Sequence, residues 1–305
     1  MYPLVKKHGI ILSKTENFFN NAGVSNPAAI REGKFVHLFY RAVSEGNFST
    51  PGYCKLKGPR EVIERCTEPV FSPGNNNESH GTEDPRITKI ESTYYLTYSA
   101  YDGVNVSSAY AISKNLKKFE RHGIITPRFS YDAYSLLIRM NLGDISDKHL
   151  MFYNLFEKYK LSRLLNTELY GWDKNLVFFP RKIHGKFAFS HRLYPSIQIA
   201  YYEDPKELTE EYWSNYISSS KEHIVLNPSF HYERSHIGAG CPPIETDDGW
   251  LLIYHAAQAT KTGVIYHAAA ALLDDNPCKV LAHLEKPKIE PRGKKRRSEQ
   301  CRISN

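Results

Sequence analysis

The sequence predicts an all-β fold built from a repeated antiparallel unit, and three observations carry that prediction. Four segments share one pattern of proline, short apolar strand, polar turn and aromatic-rich strand: SNPAAIREGKFVHLFYRA, HGTEDPRITKIESTYYLTYSAYDG, LVFFPRKIHGKFAFSHRL and GCPPIETDDGWLLIYHAA, with prolines Pro27, Pro85, Pro180 and Pro243. A hydrophobic fraction of 41% and an aromatic fraction of 13% suit a folded, strand-rich chain. No apolar run approaches the ~18 residues of a membrane helix, so the expectation is a soluble protein without a membrane partner. Repetition of one hairpin unit predicts the blades of a β-propeller, in which matching positions converge on a central channel and place a site there.

Taken in order, the first two units are 58 residues apart by their prolines, the third and fourth 63, but the second and third 95. An insertion is therefore expected at about 130–168, and Leu150, Tyr153, Phe156 and Tyr159 recur there at the interval of an amphipathic helix. A second helix is expected in PKELTEEYWSNYISSS, where Pro205 suits a helix start and acidic residues fill the early turns. After YHAAAALLDDNPCKVLAHLEKPKIEP the aromatic alternation stops. These signals predict a single domain over 1–291, followed by a basic, disordered tail over 292–305.

That tail explains the charge. Six Lys or Arg and one Glu in PRGKKRRSEQCRISN supply +5 of the net +7, which leaves +2 for the rest and argues against a nucleic-acid partner. The five cysteines, Cys54, Cys66, Cys241, Cys278 and Cys301, are scattered without metal or redox spacing. MYPLVKKHGIILSKTENF lacks the apolar core and cleavage site of an export signal. Reduced thiols in a cytoplasmic protein, with no metal and no organic cofactor, are the expectation.

The HGTEDPR element is the strongest local signal. Pro85 removes a backbone donor and biases Asp84 toward an extended conformation at the channel mouth, a suitable place for a catalytic acid. Read alone, an Asp before Pro serves equally well as a turn cap. The repeat adds weight: Asn26 precedes Pro27 as Asp84 precedes Pro85, while Lys174 with Asn175, and His236, fall five to seven residues before the later prolines. Lys174, Arg192 and His236 with Asn175 would form an anion pocket opposite the carboxyl, one suited to phosphate; singly, Lys174 and Arg192 read as solvated charges. GAG in HIGAGCPP is too short for a nucleotide loop and predicts backbone passing close to a ligand.

The segments NPAAI, LFYRA, GTEDPRITKI, YYLTYSAYDG, ERHGI, KNLVFFPRKIHGKFAFSHR, IGAGCPPI, GWLLIYHA and YHAAAALLD resemble glycoside hydrolase family 130, the inverting β-mannoside phosphorylases and related β-1,2-mannosidases. The resemblance runs from about Asn26 to Pro291. It implies a five-bladed β-propeller with a helical insertion, and Asp84 as general acid acting through a sugar hydroxyl. It further implies Asn26 and Arg41 as ligands of the mannosyl unit, and Lys174, Asn175, Arg192, His236 and Tyr266 as phosphate ligands. The implied product is α-mannose 1-phosphate, with inorganic phosphate as co-substrate. Lys174 and His236 stand where some members carry Arg and Lys. Family members continue past the equivalent of KPKIEP into a fifth aromatic hairpin with another sugar-binding Asp; RGKKRRSEQCRISN does not read as that hairpin, so a propeller truncated in its last blade is expected, its open edge inviting a homo-oligomer. Hydrolysis by water and a non-catalytic sugar-binding role are the competing readings.

Overall fold

The computed structural model describes residues 5–7, 9–130, 132–133, 136, 168–261 and 263–290. Their architecture is all-β and falls into four antiparallel units. The first runs β1 (Gly23–Glu32), β2 (Phe35–Val43), β3 (Ser49–Lys57) and β4 (Glu61–Arg65), each strand paired with the next. The second repeats the order with β5 (Gly81–Ile90), β6 (Thr93–Tyr101), β7 (Val106–Ser113) and β8 (Glu120–Ile124). The third comprises β9 (Asp173–Phe178), β10 (Phe187–Leu193), β11 (Ile197–Tyr202) and β12 (Ile224–Leu226). In the fourth, β13 (His236–Ala239) and β14 (Ile244–Thr246) both pair with β15 (Gly249–Thr260), and β16 (Gly263–Leu273) and β17 (Val280–His283) follow.

The polar turns predicted between strands are tight. Gly33 and Lys34 alone link β1 to β2, and Gly33 takes φ +58°, which a two-residue hairpin of favourable twist requires. The first strands lie side by side, β1 against β5, β5 against β9 and β9 against β13. A single parallel bridge, Ser49 to Gly81, joins the first unit to the second, and Ile237 N–H donates to Pro195 O (3.0 Å) between the third and fourth.

The core lies between units, because each sheet face needs a neighbour to cover it. Phe39, Tyr53, Ile87, Tyr94 and Leu96 fill the space between the first and second units. Ile90, Tyr110, Phe178, Phe189 and Tyr202 do so between the second and third, and Val177, Phe179, Ile199, Trp250, Leu252 and Tyr254 between the third and fourth. Truncating a fully buried ring such as Phe178 costs about 3–5 kcal/mol. The unit-to-unit seams therefore hold the first strands in fixed relation.

Pro205 opens only a short 3-10 turn, Pro205–Glu207, capped by Asp204. The longer helix, α1 (Glu210–Ser218), starts afterwards, where the Thr209 hydroxyl accepts from Tyr212 N–H (3.2 Å) and Glu210 and Glu211 face the positive end of the helix dipole. Its Trp213, Tyr216 and Ile217, spaced for one face, pack on the third unit. The helical insertion expected at 130–168 and the tail at 292–305 lie outside the described residues, apart from Ser130, Asp132, Ala133, Leu136 and Glu168.

Candidate active site

Three of the four first strands carry the same irregularity at the same register. Pairing shifts by one residue between Ser25 and Ala28 on β1, between Glu83 and Arg86 on β5, and opposite Ser190 to Arg192 on β9. Each shift is a β-bulge, and its first residue is left-handed: Asn26 at φ 45°, Asp84 at 52° and Asn175 at 60°. Asn and Asp tolerate that region better than other side chains, so the bulge selects them. This corrects the expected extended backbone at Asp84: the bulge overrides the bias imposed by Pro85.

The same register corrects the proline alignment. Pro27 and Pro85 are second residues of their bulges, but the matching residue of the third unit is Leu176, while Pro180 lies beyond β9 and Pro243 between β13 and β14. A bulge needs a residue that accepts positive φ; the proline after it is dispensable.

The second strands match as well. LFYRA, LTYSA, FSHRL and LIYHA place Arg41, Ser99, Arg192 and His255 opposite Ser25, Glu83, Lys174 and Gly238 respectively. Polar side chains from all four units thereby meet at one level.

Around Asp84 the contacts are dense. Asn26 Nδ2 donates to Asp84 Oδ1, and Arg41 Nη1 stands 3.5 Å from the same oxygen. Arg41 Nη2 reaches Glu83 Oε1 at 2.6 Å, its Nε donates to Ser49 Oγ at 2.8 Å, and Lys174 Nζ lies 3.2 Å from Glu83 Oε2. Arg86 turns back to the carbonyls of Asp84 (3.3 Å) and Pro85 (2.9 Å). Burial alone would raise the Asp84 carboxyl, but Arg41, Lys174 and Arg86 with the Asn26 hydrogen bond outweigh it and hold the group well below the usual carboxylate range. Asp84 is ionised in the free site, with 13% of its side chain reaching solvent.

On the other side, cationic and imidazole groups gather with few partners. Arg192 is buried, lies over the Tyr194 ring at 5.2 Å, and offers Nη1 3.4 Å from His255 Nε2. Its Nε, the Nε of Arg86 and the Asn175 Oδ1 are buried without a hydrogen-bond partner. No carboxylate among the described residues pairs with Arg192. Tyr194 OH and Ser235 Oγ meet His236 Nδ1, and the Tyr266 ring stands 6.0 Å from His236 and 5.9 Å from His255. The glycines of IGAG make this approach feasible: a Cβ on Gly238 would sit 2.6 Å from Asn175 Oδ1 and 2.7 Å from His255 Cε1.

Burial, then Arg192, His255 and Lys174, push His236 well below the ordinary imidazole range, and burial with Arg192 and Arg86 takes His255 down to about 3. His236 is therefore neutral, which corrects its expected role as a cation. Burial and the neighbouring Arg192 make protonation costly, so it can offer a hydrogen bond but no charge.

All the residues singled out in the sequence come together here: Asn26, Arg41 and Asp84 directly, Lys174 through Glu83, and Asn175, Arg192, His236 and Tyr266 around His255. Sequence reasoning missed Glu83 as a ligand of two cations, Arg86, and His255. The signal for His255 was present, since YHA in the fourth unit aligns with YRA in the first.

A family model described as beta-1,4-mannooligosaccharide phosphorylase matches residues 5–168 and 153–297. The 1,2-beta-oligomannan phosphorylase of Thermoanaerobacter sp. is 32% identical, over 92% of this chain and 80% of its own length. A beta-1,2-mannobiose phosphorylase of the same organism is 30% identical over 90% of this chain and 78% of its own. Among solved structures, the beta-1,2-mannobiose phosphorylase of Listeria innocua, in complex with beta-1,2-mannobiose, has a TM-score of 0.61 at 21% identity, covering 95% of this chain and 81% of that one, a likeness of fold. With a family match across most of its length and relatives of this identity and coverage, the chain belongs to glycoside hydrolase family 130.

Proposed function

We propose that the protein phosphorolyses a β-mannoside with inversion, releasing α-mannose 1-phosphate and a shortened sugar. The observation that carries this reading is Arg192, a cation that pairs with no carboxylate among the described residues, buried with an unpartnered Nε beside Asn175, His255 and His236 and within the field of Asp84. A buried guanidinium without a carboxylate calls for an anion, and phosphate matches its paired donors.

The carboxylates argue in the same direction. Inverting hydrolysis requires an acid and a second carboxylate to activate water. Both oxygens of Glu83 are engaged by Arg41 and Lys174, and Asp173 is buried against His191 (2.5 Å) and Ser108 (2.8 Å). Of these described carboxyls Asp84 is the one left for proton transfer, and phosphate, already a nucleophile, needs no base. Arg192, Lys174, Asn175, His236 and Tyr266 would hold phosphate in line beneath the anomeric carbon, while Asn26 and Arg41 hold the mannosyl unit.

Asp84 must gain a proton before it can act as an acid. Bound phosphate supplies negative charge beside Lys174, Arg86 and Arg192, offsets the cations that depress the carboxyl, and moves it back toward the ordinary range. Phosphate would thus prime the acid as it supplies the nucleophile. The reading calls on phosphate as co-substrate and on no other cofactor. It is most natural with the four units as blades of a five-bladed propeller, the first strands lining its channel, within one domain over 1–291 of a cytoplasmic enzyme.

Turnover of β-1,2- and β-1,4-mannobiose, assayed with and without inorganic phosphate while the released sugar is identified, tests the proposal. Phosphate-dependent formation of α-mannose 1-phosphate is expected. Equal turnover in phosphate-free buffer, giving free mannose, would overturn it.

A further inference from the structure

We propose that Glu83 is a positioning residue which holds Arg41 and Lys174 on one carboxylate and thereby sets how tightly the site takes phosphate. The inference rests on the phosphorylase reading above and concerns a residue that the resemblance leaves without a role.

Glu83 occupies the last regular position of β5 before the bulge, so its side chain enters the site beside Asp84. It is almost fully enclosed, with 5% of its side chain exposed. Each oxygen has its own cation, and the two come from different units: Oε1 takes Arg41 of β2 at 2.6 Å, and Oε2 takes Lys174 of β9 at 3.2 Å. One carboxylate therefore ties the sugar-side cation of the first unit to the anion-side cation of the third.

Two consequences follow. Lys174 points at Glu83, so an arriving phosphate has to share its ammonium with a carboxylate already in contact with it, and Glu83 itself repels the anion. Replacing that carboxylate by an amide should strengthen phosphate binding. Glu83 also neutralises part of the charge that Arg41 and Lys174 direct at Asp84; without it those cations would hold Asp84 ionised more firmly and make the proton harder to supply. The same substitution should therefore lower kcat. A residue whose loss tightens binding of a substrate and slows its turnover differs from a merely structural one, whose loss weakens both.

The test is calorimetric titration of inorganic phosphate, alongside steady-state kinetics with mannobiose, for wild type, Glu83→Gln, Lys174→Met and the double variant. Glu83→Gln is expected to lower the phosphate Kd by about three- to tenfold and kcat by about tenfold. In the Lys174→Met background the effect of Glu83→Gln on phosphate Kd should shrink to at most about twofold, the part left by direct repulsion between Glu83 and the anion. An unchanged or raised phosphate Kd in a folded Glu83→Gln would overturn the inference, as would full additivity in the double variant. Should Glu83→Gln fail to fold, Glu83→Asp carries the test: it keeps the charge but is one methylene too short to span both cations. Its phosphate Kd should fall at least about twofold, and a wild-type Kd would overturn the inference. A wild type that turns over mannobiose without phosphate would instead sink the functional reading, an outcome separate from these.

Discussion

The half of the site built by the first and second units and the half built by the third and fourth satisfy their charges in opposite ways. In the first, Asn26, Arg41, Glu83, Asp84 and the reaching Lys174 form a closed set in which each carboxylate meets cations or donors, with only the Nε of the adjoining Arg86 left unpartnered among these residues. In the second, Arg192 is buried with its Nε unpartnered, Asn175 Oδ1 likewise, and two histidines are held neutral by burial and by the arginine charge beside them. A buried polar group left unsatisfied costs about 1–3 kcal/mol, so such a cluster is retained where a ligand completes it. The contrast separates a half that keeps a carboxyl ready from a half that awaits an anion. Since both use the same β-bulge, the difference lies in the side chains placed on it.

The largest effect should come from the carboxyl. Asp84→Asn keeps the shape and can still accept from Asn26, but removes the transferable proton, and kcat for mannobiose phosphorolysis should fall by about a hundredfold or more. Near-normal kcat would return Asp84 to the role of a turn residue in the bulge.

Arg192→Ala comes next and should sharpen the division between the halves. Loss of a charge-assisted contact is worth about 1.5–3 kcal/mol, so the KM for phosphate should rise roughly ten- to a hundredfold while that for mannobiose changes little. A selective rise in the mannobiose KM would show that the halves are wrongly assigned.

Gly238→Ala tests the close approach that lets the fourth unit join the anion half. A Cβ 2.6 Å from Asn175 Oδ1 and 2.7 Å from His255 Cε1 forces one or both to shift, at about 1–3 kcal/mol of stability and with weaker phosphate binding. Unchanged thermal stability and phosphate KM would show that neither side chain is held by its neighbours.

The smallest effect concerns pH. His255 is held near 3 against an ordinary 6.5, and His236 also lies well below it, so between about 6.5 and 3 the unfolded chain binds more protons than the folded one. Stability contributed by these neutral histidines is full above 6.5 and is lost as pH falls through that window. Thermal unfolding at pH 8, 6.5 and 5 should show a declining Tm on the acid side. A Tm that rises toward pH 5 would contradict neutral burial of the pair.

The sequence exposed the repeat and most of the site for identifiable reasons. Proline, turn and aromatic strand recur because each unit must start, reverse and cover a neighbour, and Asn26-Pro27 and Asp84-Pro85 marked two equivalent positions, though as extended residues and not as bulges. The third bulge was hidden because Leu176 follows Asn175 where a proline had been the signal, and Pro180 drew the alignment four residues too far. Register is a property of strand pairing, so although YRA and YHA hint at the equivalence of Arg41 and His255, the ladders are what place them level with Arg192. The neutrality of His236 was illegible for a related reason: it depends on burial beside Arg192, a residue 44 positions away in the chain. Glu83 stands beside Asp84 in HGTEDPR, but its two cations come from β2 and β9, contacts that only folding creates.

The most direct test of the two-halved site is calorimetric titration of inorganic phosphate, without sugar, into wild type, Asp84→Asn and Arg192→Ala. One saturable site is expected in the wild type, retained in Asp84→Asn and lost or weakened at least tenfold in Arg192→Ala. Absence of saturable binding in the wild type, or binding that Arg192→Ala leaves unchanged, would contradict the account.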